Sequence, residues 1–108
     1  MSDNYLLDGH TPVRCDDLME WARKYETMDL RVAETYIGDD TDPMAVRVST
    51  VFLSLDHSFG QGPPLLFETM VFGGTMDGRQ VRYSTWDEAE AGHARIVDAA
   101  RSAQEGEK

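Results

Sequence analysis

A few ionisable side chains stand among apolar neighbours in this chain, and they set the chemistry it could do. Asp56 and His57 close the apolar run VSTVFLSL and open a loop rich in glycine and proline. Side chains where a strand meets a loop are held by the scaffold yet reach solvent, which is where functional groups collect. Glu68 is embedded in a second apolar run, LLFETMVF. By the two-residue period of a strand it shares a face with Leu66 and Met70, while Phe67 and Thr69 face the other way. A carboxylate there has to be solvated, paired or held at a raised pKa. Arg47 or Arg82, on neighbouring strands, could pair with it. His93 falls on the apolar stripe of a C-terminal helix, where the plain expectation is a half-buried imidazole bonded to a backbone carbonyl. Gly92 beside it is costly inside a helix and implies a close approach by a strand or a ligand.

Together Asp56, His57, Glu68 and His93 have the chemistry of a divalent-metal site or of a general acid–base pair. The chain has no H-x-x-x-H, H-E-x-x-H or paired-cysteine spacing, so no metal ligand set is assigned and no cofactor is expected. Its serines lack a nucleophile-elbow context. Gly60-x-Gly62 runs into Pro63 and Pro64 and so cannot open a phosphate-binding helix. Phe59, Tyr83 and Trp86 offer rings on which a base or a partner side chain could stack. Phe72 has the same chemistry, but core packing is the simpler expectation for it.

These groups need a scaffold, and the sequence outlines one. Tyr5-Leu6-Leu7, Asp8-Gly9 and the residues to Val13 read as a hairpin, because Asp-Gly suits a tight two-residue turn. Pro12 fits an edge strand. A helix is predicted from Asp17 to Thr27, capped by Asp16 or Asp17, with Leu18, Trp21, Ala22, Tyr25 and Met28 along one apolar face. Strands are predicted over residues 30–37, 46–55, 65–72 and 79–84, separated by turn-rich segments. Thr85 and Glu88 form a T-x-x-E capping box that starts a last helix, which fades near Ser102. The predicted fold is α+β: an antiparallel sheet, made of an N-terminal hairpin plus a meander, with two helices packed on one face. One domain is expected over residues 1–108, with an ordered core from about residue 4 to about residue 102 and a frayed tail.

Twenty acidic residues against ten basic ones give a net charge of −10. That charge opposes direct binding to nucleic acid or to an anionic membrane, because phosphate neutralisation needs clustered Lys and Arg. It suits solubility, or an acidic surface that occupies a basic groove on another protein. Cys15 is the sole cysteine, which fits a reducing compartment. The N-terminal residues lack the basic and apolar regions of a signal peptide, and no apolar stretch is long enough to span a bilayer. A small core and free strand edges leave room for a homodimer.

The string VSTVFLSLDHSFGQGPPLLFETMVFGG, with LDGHTPV and DDLMEWARKYET before it and RYSTWDEAEAGH after it, resembles a family of short proteins encoded by tailed bacteriophages and bacterial prophages. The resemblance covers nearly the whole chain. It implies a phage-type accessory protein acting in the bacterial cytoplasm, and it brings no catalytic residues to carry over. Asp39 to Met44 looks like an insertion beside the tight turn usual in that family, hence a tolerant loop.

Three functions follow as expectations. The first is a non-enzymatic protein that binds a bacterial or phage protein, for instance inhibiting a defence or nucleic-acid enzyme. The second is a nucleotide-like small-molecule binder using His57, Glu68, Tyr83 and His93. The third is a small metal-dependent hydrolase using the same residues.

Overall fold

A computed structural model of the chain describes residues 4–39, 41–56 and 62–105. The Asp-Gly turn forms as the sequence predicts: β1 (Tyr5–Asp8) and β2 (Thr11–Arg14) pair as an antiparallel hairpin, with Gly9 at a φ of 62°. Only a residue without a Cβ adopts that φ at little cost. Helix α1 (Leu18–Thr27) begins where Asp17 accepts hydrogen bonds from the Met19 and Glu20 amides, satisfying two donors that the first turn leaves free.

Four strands then run as a meander: β3 (Arg31–Ile37), β4 (Val46–Phe52), β5 (Phe67–Phe72) and β6 (Gln80–Tyr83). They lie in that order, all antiparallel, in one sheet. Helix α2 (Trp86–Glu105) crosses one face of it and touches all four strands. It outlasts the predicted end near Ser102, in keeping with how loosely sequence defines a helix terminus. Strand β4 stops short of the predicted Leu55. Ser54 turns left-handed, at a φ of 65°, and its carbonyl accepts from the Tyr5 amide, which ties the hairpin to the sheet.

Alternation in the strands decides what the helix covers. Val46, Val48, Phe52, Phe67, Val71 and Tyr83 all face α2 and are buried. Val97 and Ala100 of α2 pack on the valine end, and Ala89 packs on the aromatic end beside Phe52 and Phe67. Burying each such large side chain is worth roughly 1.5–3 kcal/mol relative to exposure, so these few contacts dominate the stability.

The α+β class and the antiparallel meander hold. The placement of the first helix does not. Only α2 packs on the four-stranded sheet. Helix α1 has no buried residue and lies against β1, through Trp21, whose indole donates to the Tyr5 carbonyl at 3.1 Å. The short chain stretch between β2 and α1 keeps the helix beside the hairpin, and only Met28 at its end reaches the aromatic core. The radius of gyration is accordingly 15.7 Å, against roughly 13 Å for a compact chain of this length.

Candidate functional site

The most organised polar cluster lies under α2. Thr35, Thr50 and Thr69 occupy the helix-facing positions of three adjacent strands, and Thr50 and Thr69 are direct cross-strand partners. Their hydroxyls would be orphaned beneath an apolar helix. His93 is set opposite them on α2, 6% exposed, and answers them. Its Nδ1 lies 2.7 Å from Thr50 Oγ1 and its Nε2 lies 2.8 Å from Thr35 Oγ1. Thr50 Oγ1 is in turn 2.5 Å from Thr69 Oγ1.

A neutral imidazole offers one donor and one acceptor, and each hydroxyl can play either part. One ring nitrogen therefore donates to a threonine while the other accepts from one, and both tautomers close the chain of bonds. Burial pushes the His93 pKa below its ordinary value, since nothing repays the lost hydration of an imidazolium. The expected backbone carbonyl is replaced by two side-chain hydroxyls. The signal for them was in the sequence: threonine on the apolar-facing parity of three strands, and a histidine on the apolar stripe of the helix.

Next to His93, Gly92 meets the close approach its presence implied. A Cβ built there would lie 2.2 Å from both Cε1 and the hydroxyl of Tyr83. The Tyr83 ring is wedged between β6 and α2, and its hydroxyl is buried without a hydrogen-bond partner among the described residues. Ser54 Oγ is buried without one as well.

Glu68 lies on the other side of the sheet. It pairs across the strands with Arg82, Nε to Oε2 at 3.0 Å, and also accepts from Gln80. Arg47, the other cation considered for it, instead holds Glu34 at 2.5 Å. The Arg47 guanidinium lies 4.9 Å from the centre of the Phe72 ring, so Phe72 is a half-exposed ring on the open face rather than a core residue. Glu34 also accepts from the Tyr36 hydroxyl at 2.8 Å, and these bonds hold its carboxyl below the usual range, the Arg47 bond being the stronger influence.

The remaining predicted residues are scattered. Asp56 accepts from the Leu65 amide at 3.0 Å and so clamps the base of the glycine-rich loop. His57 and Phe59 lie outside the described residues. Trp86 stacks on His10 of the hairpin turn, with centroids 3.8 Å apart and planes 3° from parallel, and makes a T-shaped contact with Phe67. Nothing local in the sequence points to His10, because this contact joins the first turn of the chain to its last helix. Thr85 caps α2 by accepting from the Glu88 amide at 3.1 Å, but the Glu88 carboxylate takes the Thr85 hydroxyl instead of a backbone amide.

The structure therefore separates what a pocket would have to unite. His93 and Tyr83 lie beneath α2, and Glu68 lies across the sheet from them. A site built jointly from Glu68, Tyr83 and His93 is ruled out by the alternation of β5 itself, because Glu68 and its neighbours Phe67 and Thr69 point to opposite faces. Among the described residues no group of three or more His, Cys, Asp or Glu side chains could hold a metal ion. No helix among them is long and apolar enough to cross a membrane. No family model, no curated protein and no solved structure matches this chain.

Proposed function

We propose that this is a non-enzymatic binding protein, encoded by a bacteriophage, that engages a bacterial or phage protein in the cytoplasm through its acidic surface. The observation that carries this reading is the outer side of α2. Asp87, Glu88, Glu90 and Asp98 are exposed there, against only Arg95 and Arg101. They stand on a rigid helix anchored along its other side by Ala89, His93, Val97 and Ala100. Fixed carboxylates on a net charge of −10 suit a basic groove of the kind carried by proteins that handle nucleic acid. The buried ionisable group His93 is already saturated by hydroxyls, and Glu68 by Arg82 and Gln80. Neither is poised to act on a substrate.

The test is affinity capture from host lysate in rising salt. Complexes should weaken steeply between about 0.1 and 0.5 M salt, where the Debye length shrinks well below 10 Å. They should be released by heparin, and be weakened by Asp87→Lys with Asp98→Lys but not by His93→Gln. A complex that ignores salt and needs His93 would refute the reading.

A further inference from the structure

We propose that the β1–β2 hairpin is a strap across one end of the sheet, fastened by the His10–Trp86 stack, and that strap and α1 open together while the sheet and α2 stay folded. The strap has a root and a free end. At the root the Tyr5 amide donates to the Ser54 carbonyl at 2.8 Å, and Asn4 pairs with Leu55. At the free end His10, exposed in the hairpin turn, lies flat on the Trp86 indole at the start of α2. Two strand spacings separate β4 from β6, about 10 Å, and four extended residues span about 13 Å. The hairpin therefore has the length to run from the end of β4, past β5, to the residues that follow β6. Beneath it Tyr5 and Leu7, which share one side of β1, pack on the aromatic cluster of Phe52, Phe67 and Tyr83.

The strap is held unequally along its length. Strands β1 and β2 form a two-stranded sheet of their own. Among the described residues, their main-chain ties to the four-stranded sheet lie at the root. Beyond the root the strap is held by side chains, Tyr5 and Leu7 along its length and His10 at its tip. A two-stranded hairpin left to itself is marginally stable at best in water. Without its clasp the strap therefore has little to keep it ordered.

Helix α1 depends on the strap in turn. It has ten residues, none of them buried, and isolated helices below about 12–15 residues are marginal in water. Its supports run through β1: the Trp21 indole donates to the Tyr5 carbonyl, and the Cys15 amide just ahead of the helix donates to the Asn4 carbonyl at 2.8 Å. Losing the strap removes both, so hairpin and helix behave as one cooperative unit of low local stability. Both ends of that unit leave the body at one place. Asn4 and Tyr5 meet Leu55 and Ser54, and just past Met28 the Leu30 carbonyl accepts from the Phe52 amide at 2.7 Å. The unit can thus swing away without breaking the ladder from β3 to β6 or the packing of α2. Opening bares the Trp86 ring beside the exposed Asp87, so the clasp sets how much aromatic surface the start of α2 presents.

The experiment is amide hydrogen exchange of the full chain under native conditions, followed residue by residue by NMR. In the parent, amides of β1, β2 and α1 should share one opening, with protection at least tenfold below that of β4 and β5. The indole should shift the His10 ring protons upfield. His10→Ala, at an exposed turn position, should speed exchange in β1, β2 and α1 alike by about 2- to 12-fold, the factor a stacked aromatic pair supplies, and leave β4 and β5 unchanged. His10→Phe keeps a ring on the indole and should restore the parent's protection. Equal protection of hairpin, α1 and sheet in the parent overturns the proposal. So does a His10→Ala chain whose hairpin exchanges as before, or whose sheet is speeded equally. An α1 that opens apart from the hairpin, or a His10→Phe chain no better protected than His10→Ala, overturns it too.

Discussion

Gly92→Ala sets local propensity against packing, and the structure decides the sign. In an exposed helix interior the change gains roughly 1 kcal/mol, because alanine loses less backbone freedom on folding. Here the new methyl would sit 2.2 Å from Tyr83 Cε1 and hydroxyl and 2.3 Å from Cζ, more than 1 Å inside ordinary contact. The ring cannot retreat, since Phe67 and Ala89 share its buried cluster. Overpacking of this kind costs typically 1–3 kcal/mol and sometimes more. Set against the propensity gain, the net is a loss of up to about 2 kcal/mol, which for a domain of this size lowers Tm by up to roughly 15 °C. Urea and thermal unfolding measure it directly. The argument also fixes the double mutant. In a Tyr83→Leu background the obstacle is gone, so Gly92→Ala should change sign and stabilise by up to about 1 kcal/mol. If Gly92→Ala stabilises the parent, or costs the same in both backgrounds, the close approach of Tyr83 is not the reason for the glycine.

Three other outcomes follow from the same core. Tyr83→Phe should raise stability by about 1 kcal/mol, because it removes a buried hydroxyl that has no partner among the described residues. The His93 pKa is depressed by burial, so the unfolded chain takes up the proton more readily than the folded one. Stability should be full above about pH 6.5 and fall as pH drops through that value toward the folded pKa, and His93→Gln should flatten this limb in urea titrations at pH 7 and pH 5. Thr50→Val should cost about 1–3 kcal/mol by stranding His93 Nδ1 and Thr69, whereas Thr50→Ser should cost less; equal costs would mean that packing rather than hydrogen bonding matters there.

Much of this architecture is legible in the sequence because the signals are local. The Asp8-Gly9 turn, the Asp17 cap, the Thr85 start of α2 and the strand alternation of β4 and β5 are each written within a few residues. Gly92 is legible too, as a violation of helix propensity that demands a neighbour, although sequence could not say that the neighbour is Tyr83. What sequence could not supply was the sidedness of the helices. The apolar stripes of α1 and α2 look alike as patterns, yet one lies on the sheet and the other beside a hairpin, because placement depends on chain connections rather than on periodicity. The grouping of Asp56, Glu68 and His93 by chemical type failed for a related reason. Residue type says nothing about which face of a sheet a side chain takes, and a change of one position reverses it.

That sidedness also explains why the polar core of this protein points to architecture rather than reaction. Threonines at helix-facing positions are a liability unless something answers their hydroxyls, and a one-residue slip of β5 would replace Thr69 by Glu68 or Met70 opposite Thr50. Only the observed register brings Thr50, Thr69 and His93 into a closed chain of bonds while Val48 meets Val71 and Phe52 meets Phe67 on the same face. Polar and apolar groups thus select one register together, since a slip would leave buried hydroxyls unpaired and send the valines to the open face. A histidine spent on aligning helix and sheet is unavailable to a substrate. The groups left facing outward are carboxylates along α2 and, across the open sheet, rings and arginines paired with carboxylates, and the binding proposed above would have to use these.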